Sequence, residues 1–202
     1  MCVRSNKSVI SLFSFGLLFF TVVSAYFVSL DIEHKAEFLR ENGPIESLQA
    51  FILAINCFVF VMTALQKESV KWISFFCALI CYSFLLREID VELLNVPDVV
   101  KFFGSGVGRN TTILLGFVFL LAYMSSRFFY SKLECINFVK SKPGLLLIFG
   151  GVLLLLGDFF EKLDFVSYNN FYEEVLELFG YFIILFSALF FYYNAKSTKL
   201  KP

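Results

Sequence analysis

Long apolar runs alternate with short polar segments along the whole chain. The runs cover residues 9–30, 44–65, 69–86, 111–126, 143–160 and 172–193. At about 1.5 Å per residue, about 20 residues of α-helix cross a hydrocarbon core of about 30 Å. The pattern therefore predicts an all-α protein, a bundle of six transmembrane helices that forms one integral membrane domain over residues 1–202.

Local signals support two of these helices. Pro44 stands at the start of the second run, where its missing N–H group is not needed, and Glu46 falls in the first turn, where a carboxylate complements the helix dipole. Gly150 and Gly157 are seven residues apart in the fifth run and so share one face. Small residues on one face allow close approach of a neighbouring helix.

The first run has an alternative interpretation as a signal peptide, with a cleavage site near residues 23–25. The apolar region of a signal peptide spans about 7–15 residues, and this run is longer and continues past the site. We therefore expect a retained membrane anchor. Cleavage would leave the rest of the topology unchanged.

The connections are polar or rich in glycine. Residues 31–43 form a polar loop, and residues 131–142 form a second, basic one. Residues 96–103 resemble a short interfacial helix, with Phe102 and Phe103 as membrane anchors. We expect residues 104–108, which contain three glycines, to be a flexible stretch.

Composition agrees with a membrane protein. Hydrophobic residues make up 58% of the chain and the mean hydropathy is +0.77, whereas a soluble domain is about 45–50% apolar. The formal net charge is zero, so the chain lacks the broad basic surface of a nucleic-acid-binding protein. The expected partners are the lipid bilayer and, as a further candidate, another membrane protein, with no nucleic acid.

The charges are divided unequally between the two sides of the predicted membrane. One side, which holds both termini, has only two acids, Glu68 and Glu134, and eleven basic residues: Arg4, Lys7, Lys67, Lys71, Arg127, Lys132, Lys140, Lys142, Lys196, Lys199 and Lys201. The other side has fifteen acids and six basic residues. Segments rich in Lys and Arg stay cytoplasmic. We therefore predict cytoplasmic N and C termini in a bacterial inner membrane.

The acidic outer side also carries the candidate site. The charged residues at the outer ends of spans two to six are Glu46, Arg87, Glu88, Asp90, Arg109, Asp158, Glu161, Glu173, Glu174 and Glu177. Charges in a spanning helix usually face the bundle interior or a water-filled cavity. Arg87 is the expected hub because a guanidinium bridges two carboxylates, and Asp158 or Glu46 is its expected first partner. The alternative is that each acid only complements a helix dipole or ends a helix in water.

Metal and thiol chemistry have limited support. The chain has one histidine, His34, so a zinc site of His and Cys ligands is not expected. We predict that the five cysteines form no disulfide, since three lie inside spans and Cys2 and Cys135 lie on the cytoplasmic side. No cofactor is evident, although clustered carboxylates are the ligands of a hard divalent cation such as Ca²⁺ or Mg²⁺.

Three function classes remain. The first is an interaction, accessory or sensing protein, because the chain has neither a soluble domain nor a catalytic motif. The second is a transporter or cation-binding protein that uses the outer carboxylates. The third is an intramembrane enzyme in which a pair such as Glu46 and Asp158 performs acid–base chemistry. G-x-S-x-G and H-E-x-x-H motifs are absent from the sequence, so the sequence leans away from an enzyme.

Short motifs on the outer side give a resemblance. Residues 41–46 (ENGPIE), residues 87–90 (REID), Gly157-Asp158 and the Glu173-Glu174 pair together resemble those of small uncharacterised bacterial multi-pass inner-membrane proteins. In those proteins the second motif often reads R-E-x-D-x-H, whereas here Glu92 stands at the histidine position. The resemblance implies a multi-pass membrane fold and no particular activity, and the missing histidine weakens a metal role.

Overall fold

The computed structural model of the chain describes residues 42–162 and 169–199, together with residues 11, 14–15, 18, 21–23, 25–31 and 40. For residues 128–131 and 196–199 it describes the backbone alone. Of the first predicted span, residues 21–23 and 25–29 are helical. The complete span over residues 9–30, the cleavage alternative, Cys2, His34 and most of the loop over residues 31–43 lie outside the described residues.

The described part of the chain is helical and contains no β-strand. Its α-helices are α1 (Pro44–Gln66), α2 (Lys71–Glu88), α3 (Asp98–Gly104), α4 (Gly106–Ser126), α5 (Phe128–Val139), α6 (Lys142–Glu161) and α7 (Asn169–Lys199). Two short 3₁₀ turns, Glu68–Val70 and Val91–Leu93, precede α2 and α3. The all-α prediction is confirmed for this part of the chain.

Five of these helices are long and apolar enough to cross a membrane. They are α1, α2 together with the turn before it, α4, α6 and the Asn169–Ala195 part of α7. They correspond to spans two to six of the sequence prediction, so five of the six predicted spans have a helix of suitable length and composition. The first span, over residues 9–30, and the placement of the termini stay predictions.

The bundle is held together around α7. This helix packs against α1 and α6, while α2 packs against α1 and α4 packs against α2. The largest core cluster includes Leu53, Phe60, Cys77, Tyr181 and Ile184, which come from α1, α2 and α7. This core therefore connects α1, α2 and α7.

Glycine brings α6 and α7 into close contact. A Cβ added at Gly150 would lie 2.7 Å from Ile184 Cγ1, and one added at Gly157 would lie 3.0 Å from Glu177 Cγ. Both distances are shorter than ordinary carbon–carbon contacts, so any larger residue would push the helices apart. The prediction that these glycines allow close helix approach is confirmed.

Two of the predicted connections are wrong. Residues 104–108 are not a flexible stretch, because α4 begins at Gly106, five residues before the predicted span. A Cβ at Gly108 would lie 1.9 Å from the Phe102 carbonyl oxygen, and one at Gly104 would lie 2.7 Å from Val91 Cγ2. These glycines therefore allow tight packing of α3 against its neighbours. They do not provide the chain mobility that the sequence predicted.

The second error is the basic loop predicted over residues 131–142, most of which belongs to α5. Its Phe138 is buried against Phe191 of α7, with ring centroids 4.7 Å apart. The apolar side of α5 thus packs against α7. The burial of this apolar surface favours a helix over the loop that the charges suggested. The short helix predicted over residues 96–103 is present as α3, where Phe102 and Phe103 are exposed. The last helix extends beyond the predicted residues 172–193 at both ends.

Candidate functional site

The candidate site lies at one end of the bundle, which we call the acidic end. It is formed by the first turn of α1, the first three turns of α7 and the last turns of α2 and α6. Glu46 in the first turn of α1 complements the positive end of that helix dipole, whereas the first turn of α7 carries no acid. Arg87 likewise suits the last turn of α2, whereas Glu88 lies at the same negative helix end and needs other stabilisation.

Arg87 joins two buried carboxylates. Its Nη2 donates to Glu177 Oε1 of α7, and its Nε lies 3.3 Å from Glu88 Oε1. The glutamate side chains are only 3% and 5% exposed, respectively, while that of Arg87 is 47% exposed. Hydrogen bonds between ionised groups are about twice as strong as neutral ones. The Arg87–Glu177 pair therefore connects the end of α2 to α7.

Tyr181 stabilises Glu88 from the inner side. Its hydroxyl donates to Glu88 Oε1 at 2.7 Å, and its side chain is fully buried. The backbone carbonyl of Tyr181 accepts a hydrogen bond of 3.2 Å from Nδ2 of Asn56 on α1. A connected set of polar groups therefore runs from Arg87 through Glu88 and Tyr181 to Asn56, across three helices.

A second polar contact joins α1 to α7. Gln49 Nε2 donates at 2.9 Å both to the backbone carbonyl of Glu174 and to its carboxylate Oε2. Gln49 and Asn56 are fully buried, and neither Gln49 Oε1 nor Asn56 Oδ1 has a hydrogen-bond partner among the described residues. Two buried acceptors therefore lie along α1, two turns apart, and buried acceptors are costly unless they receive a donor.

The prediction that Arg87 bridges carboxylates across helices agrees with this geometry, but the predicted partner is wrong. Arg87 contacts Glu177 and Glu88, whereas Asp158 pairs with Lys162 at 2.6 Å and Glu46 Oε2 accepts from the backbone N–H of Asn42. The reason is depth along the helices. Glu177 is two turns inside α7 and faces α2, while the Asp158 carboxylate lies at the bundle surface, where it raises the pKa of Lys162 above its ordinary value.

The proposed acid–base pair of Glu46 and Asp158 is therefore not brought together as a hydrogen-bonded pair. Glu46 instead accepts a hydrogen bond from Asn42, which connects two loops. Asn42, with a left-handed φ of 53°, donates through Nδ2 to the Asp90 carbonyl at 3.1 Å and accepts from the Asp90 N–H at 3.2 Å. These two hydrogen bonds hold the chain before α1 against the chain after α2.

The other predicted residues have separate roles. Arg109 of α4 donates to the Leu86 carbonyl at 2.9 Å, which satisfies a free carbonyl in the last turn of α2. The backbone carbonyl of Glu161 accepts from Asn169 Nδ2 at 2.9 Å. Glu173 lies within electrostatic range of Glu161 and Glu177. Of the ten predicted site residues, Arg87, Glu88 and Glu177 form the contacting core, and Glu174 lies beside it.

Sequence reasoning missed three members of the site, namely Gln49, Asn56 and Tyr181. Two signals would have found them. Gln49, Asn56 and Thr63 are polar residues at seven-residue spacing in an otherwise apolar helix, which places them on one face. Tyr181 follows Glu177 by four residues, so the two side chains lie on the same side of α7.

The acidic end does not form an evident metal site. Within residues 42–162, 169–199 and the shorter described pieces, no group of three or more His, Cys, Asp and Glu side chains is arranged to hold a metal ion. Glu88, Glu174 and Glu177 each accept hydrogen bonds from Tyr181, Gln49 or Arg87.

The described cysteines are free thiols. Cys77 and Cys81 are buried in the core, and Cys57 Sγ donates to the Ala78 carbonyl at 3.4 Å. Cys135 of α5 is half-buried, and its burial raises the pKa of the thiol. They behave as small core residues.

Comparison of the chain with protein-family models, with curated proteins and with solved structures finds no match. The resemblance to small bacterial inner-membrane proteins therefore stays a prediction from the motifs alone.

Proposed function

We propose that the protein is a polytopic membrane protein of the sensing or accessory kind, in which the acidic end responds to protons on the outer side of the membrane. The observation that carries the proposal is the contact of one half-exposed guanidinium, Arg87, with two buried carboxylates, Glu88 and Glu177. This contact connects the end of α2 to α7. A change in its charge would therefore alter how two spanning helices are held together.

The charge balance of the acidic end supports proton uptake. The charged and titratable groups around Glu88 and Glu177 are Arg87 from α2, Glu46 from α1, Asp158 and Glu161 from α6, and Glu173, Glu174 and Tyr181 from α7. Carboxylates outnumber the guanidinium several-fold, and uncompensated charge in a membrane-embedded site is expensive. A proton is the smallest ligand that removes this charge, and on Glu177 it also removes the ion pair with Arg87 that holds α2 against α7.

The topology belongs to the same proposal. The charge asymmetry along the chain supports six spans with both termini in the cytoplasm of a bacterial cell, so that the acidic end faces outward. The lipid bilayer then covers the outer surfaces of the helices. Another membrane protein is the partner that an accessory role requires, and α4, of which only Gly108 and Leu120 are buried, is the helix with most surface left for it.

A transporter is the second candidate, because the polar stripe of Gln49, Asn56 and Thr63 extends from the acidic end into the membrane. Two observations weaken it. The Thr63 hydroxyl donates to the Val59 carbonyl of its own helix at 2.8 Å, and the fully buried Phe60 lies between Asn56 and Thr63 along α1. The stripe therefore supports polar contacts at the acidic end better than a continuous path.

Hydrogen exchange tests the sensing proposal. We would measure backbone exchange of the full chain in nanodiscs from about pH 8 to about pH 5, after correction for the intrinsic rate. Exposed carboxyl groups bind protons near pH 4, whereas buried carboxyl groups can do so within this range. The ends of α2 and α7 should exchange faster at acid pH in the native chain. In Glu177→Gln they should already exchange fast at neutral pH and respond little to acid.

The matched control is Asp158→Asn, which removes a carboxylate of the same end that pairs with Lys162. It should keep the response of the native chain. A native response in Glu177→Gln would overturn the proposal. Proton or cation flux into vesicles that contain the protein and a trapped pH-sensitive or ion-sensitive dye would favour the transporter instead.

A further inference from the structure

The end of the bundle opposite the acidic end, which we call the basic end, carries an excess of positive charge. It is formed by the starts of α2 and α6, by the ends of α1, α4 and α7, and by α5. The described side chains of this end include two acids, Glu68 and Glu134, and six basic residues: Lys67, Lys71, Arg127, Lys132, Lys140 and Lys142. Nothing in the proton-sensing proposal uses this end.

Two aromatic side chains join α2 to α4 at the basic end. Trp72 lies in the first turn of α2 and Tyr123 in the last turn of α4, and their ring centroids are 3.7 Å apart. Both side chains are half-buried. Trp and Tyr are enriched at the level of the lipid headgroups, because each has an apolar ring and a polar atom that stays in contact with water. The pair therefore marks the headgroup level of the basic end.

A cation lies beside each of these two rings. Lys71 Nζ is 5.8 Å from the centroid of Trp72, and Arg127 Cζ is 5.7 Å from the centroid of Tyr123. Contacts within about 6 Å attract a cation to the face of a ring. Both charges are therefore held at the headgroup level, on the boundary between α2 and α4. A guanidinium carries five N–H donors, so contact with a ring leaves donors for a phosphate group.

Among the described residues, no buried acid pairs with either cation. Lys71 Nζ lies 3.2 Å from Glu68 Oε1, but the Glu68 side chain is 86% exposed, and exposed ion pairs contribute little to stability. Lys71 also lies at the positive end of the α2 dipole, where a cation is unfavourable. Arg127 is exposed. An anion that reaches both side chains from the membrane surface can therefore share Lys71 with Glu68 and bind Arg127 directly.

We propose that the surface formed by Lys71, Trp72, Tyr123 and Arg127 binds the headgroup of an anionic phospholipid. Charge complementarity selects a headgroup with a net negative charge over a zwitterionic one. The face of α4 selects a lipid over a free anion. Leu115 and Phe119 precede Tyr123 and Arg127 at four-residue spacing, so the four side chains share one face. Leu115 and Phe119 are 62% and 69% exposed, and they offer an apolar surface to the acyl chains below the headgroup.

The fluorescence of Trp72 reports lipid contact at this surface, because it is the only tryptophan of the chain. The full chain is placed in phosphatidylcholine nanodiscs that contain the same mole fraction of either brominated phosphatidylglycerol or brominated phosphatidylcholine, and bromine quenches tryptophan at short range. Phosphatidylglycerol should quench Trp72 more strongly. Inorganic phosphate should reduce this preference no more than sodium chloride of equal ionic strength does. Equal quenching by the two lipids, or displacement by phosphate alone, would overturn the proposal.

Matched variants separate this surface from the general positive charge of the basic end. Arg127→Gln should lower the preference for phosphatidylglycerol about fivefold, equivalent to about 1 kcal/mol for one basic side chain at an anionic surface, and Arg127→Lys should retain most of it. Lys140→Gln removes the same charge at an exposed position after the other end of α5 and should keep the native preference. The preference is a ratio within one variant, so a small displacement of Trp72 affects both lipids alike. Equal losses in Arg127→Gln and Lys140→Gln would contradict binding at this surface.

Discussion

Replacement of Arg87 by leucine tests the core of the candidate site. The substitution keeps apolar volume at the end of α2 but leaves the buried carboxylates of Glu88 and Glu177 without their guanidinium. Removal of one partner from a fully buried ion pair costs about 3–5 kcal/mol. Because the Arg87 side chain is 47% exposed, solvent screens part of its interaction. We therefore expect Arg87→Leu to lower the free energy of unfolding by about 2–3 kcal/mol at neutral pH.

The sign of the pH dependence follows from the charges. Without Arg87 the two carboxylates are uncompensated when ionised and become neutral when they bind protons. The stability difference between Arg87→Leu and the native chain should therefore be larger at about pH 8 than at about pH 5, since the less stable charged form disappears as carboxyl groups bind protons. Unfolding in mixed micelles of a mild detergent and dodecyl sulfate, followed by circular dichroism, measures both quantities.

A double-mutant cycle decides whether the effect belongs to this ion pair. Glu177→Gln in the Arg87→Leu background removes one of the charges that lost its partner. We expect the double variant to be more stable than the sum of the single effects predicts, by about 1 kcal/mol or more, as for residues in direct contact. Additive effects, or an Arg87→Leu chain as stable as the native one, would refute the reasoning. Asp158→Asn is the control and should leave stability unchanged.

Two further pairs of substitutions test the packing of α7. Tyr181→Phe removes the donor to a buried carboxylate and should cost about 1–2 kcal/mol, whereas Tyr193→Phe, at a side chain that is 63% exposed, should have no effect in the same unfolding assay. Gly150→Ala would place a Cβ 2.7 Å from Ile184 and should cost about 1–3 kcal/mol through overpacking. Gly151→Ala meets open space and should be neutral or stabilise the helix by about 0.5–1 kcal/mol; equal effects at both glycines would contradict the packing argument.

The bounds of the described helices can be predicted from the sequence where the length of an apolar run and the charges beside it mark the ends of the helix. The prediction of α1 over residues 44–65 differs from Pro44–Gln66 by one residue, because Pro44 marks the start and the polar residues after Gln66 mark the end. The start of α4 could not be predicted in this way. Glycines before a span indicate mobility or close packing equally well, and only the position of Phe102 and Val91 decides between them.

The site was predicted at the level of residue types and missed at the level of partners. The ends of the apolar runs showed that Arg87, Glu88 and Glu177 belong to one end of the bundle. Which carboxylate meets Arg87 depends on how α2 and α7 are rotated about their axes, and sequence periodicity gives that rotation only within one helix. The contact of Arg87 with Glu177 needed the tertiary arrangement, in which α7 packs against α1 and lies close to the end of α2.

The distance along the chain between the two halves of the site has a consequence for biosynthesis. Arg87 and Glu177 are 90 residues apart, so at about 5–20 residues per second the ribosome makes the arginine about 4.5–18 s before its partner. During that interval α1 and α2 exist without α7, and Glu88, one residue after Arg87, is already a carboxylate beside it that can neutralise it. Glu88 can then balance the charge of Arg87 until Glu177 has been made. A nascent chain stopped before α7 should tolerate loss of Glu88 poorly, even though the finished protein holds Arg87 mainly through Glu177.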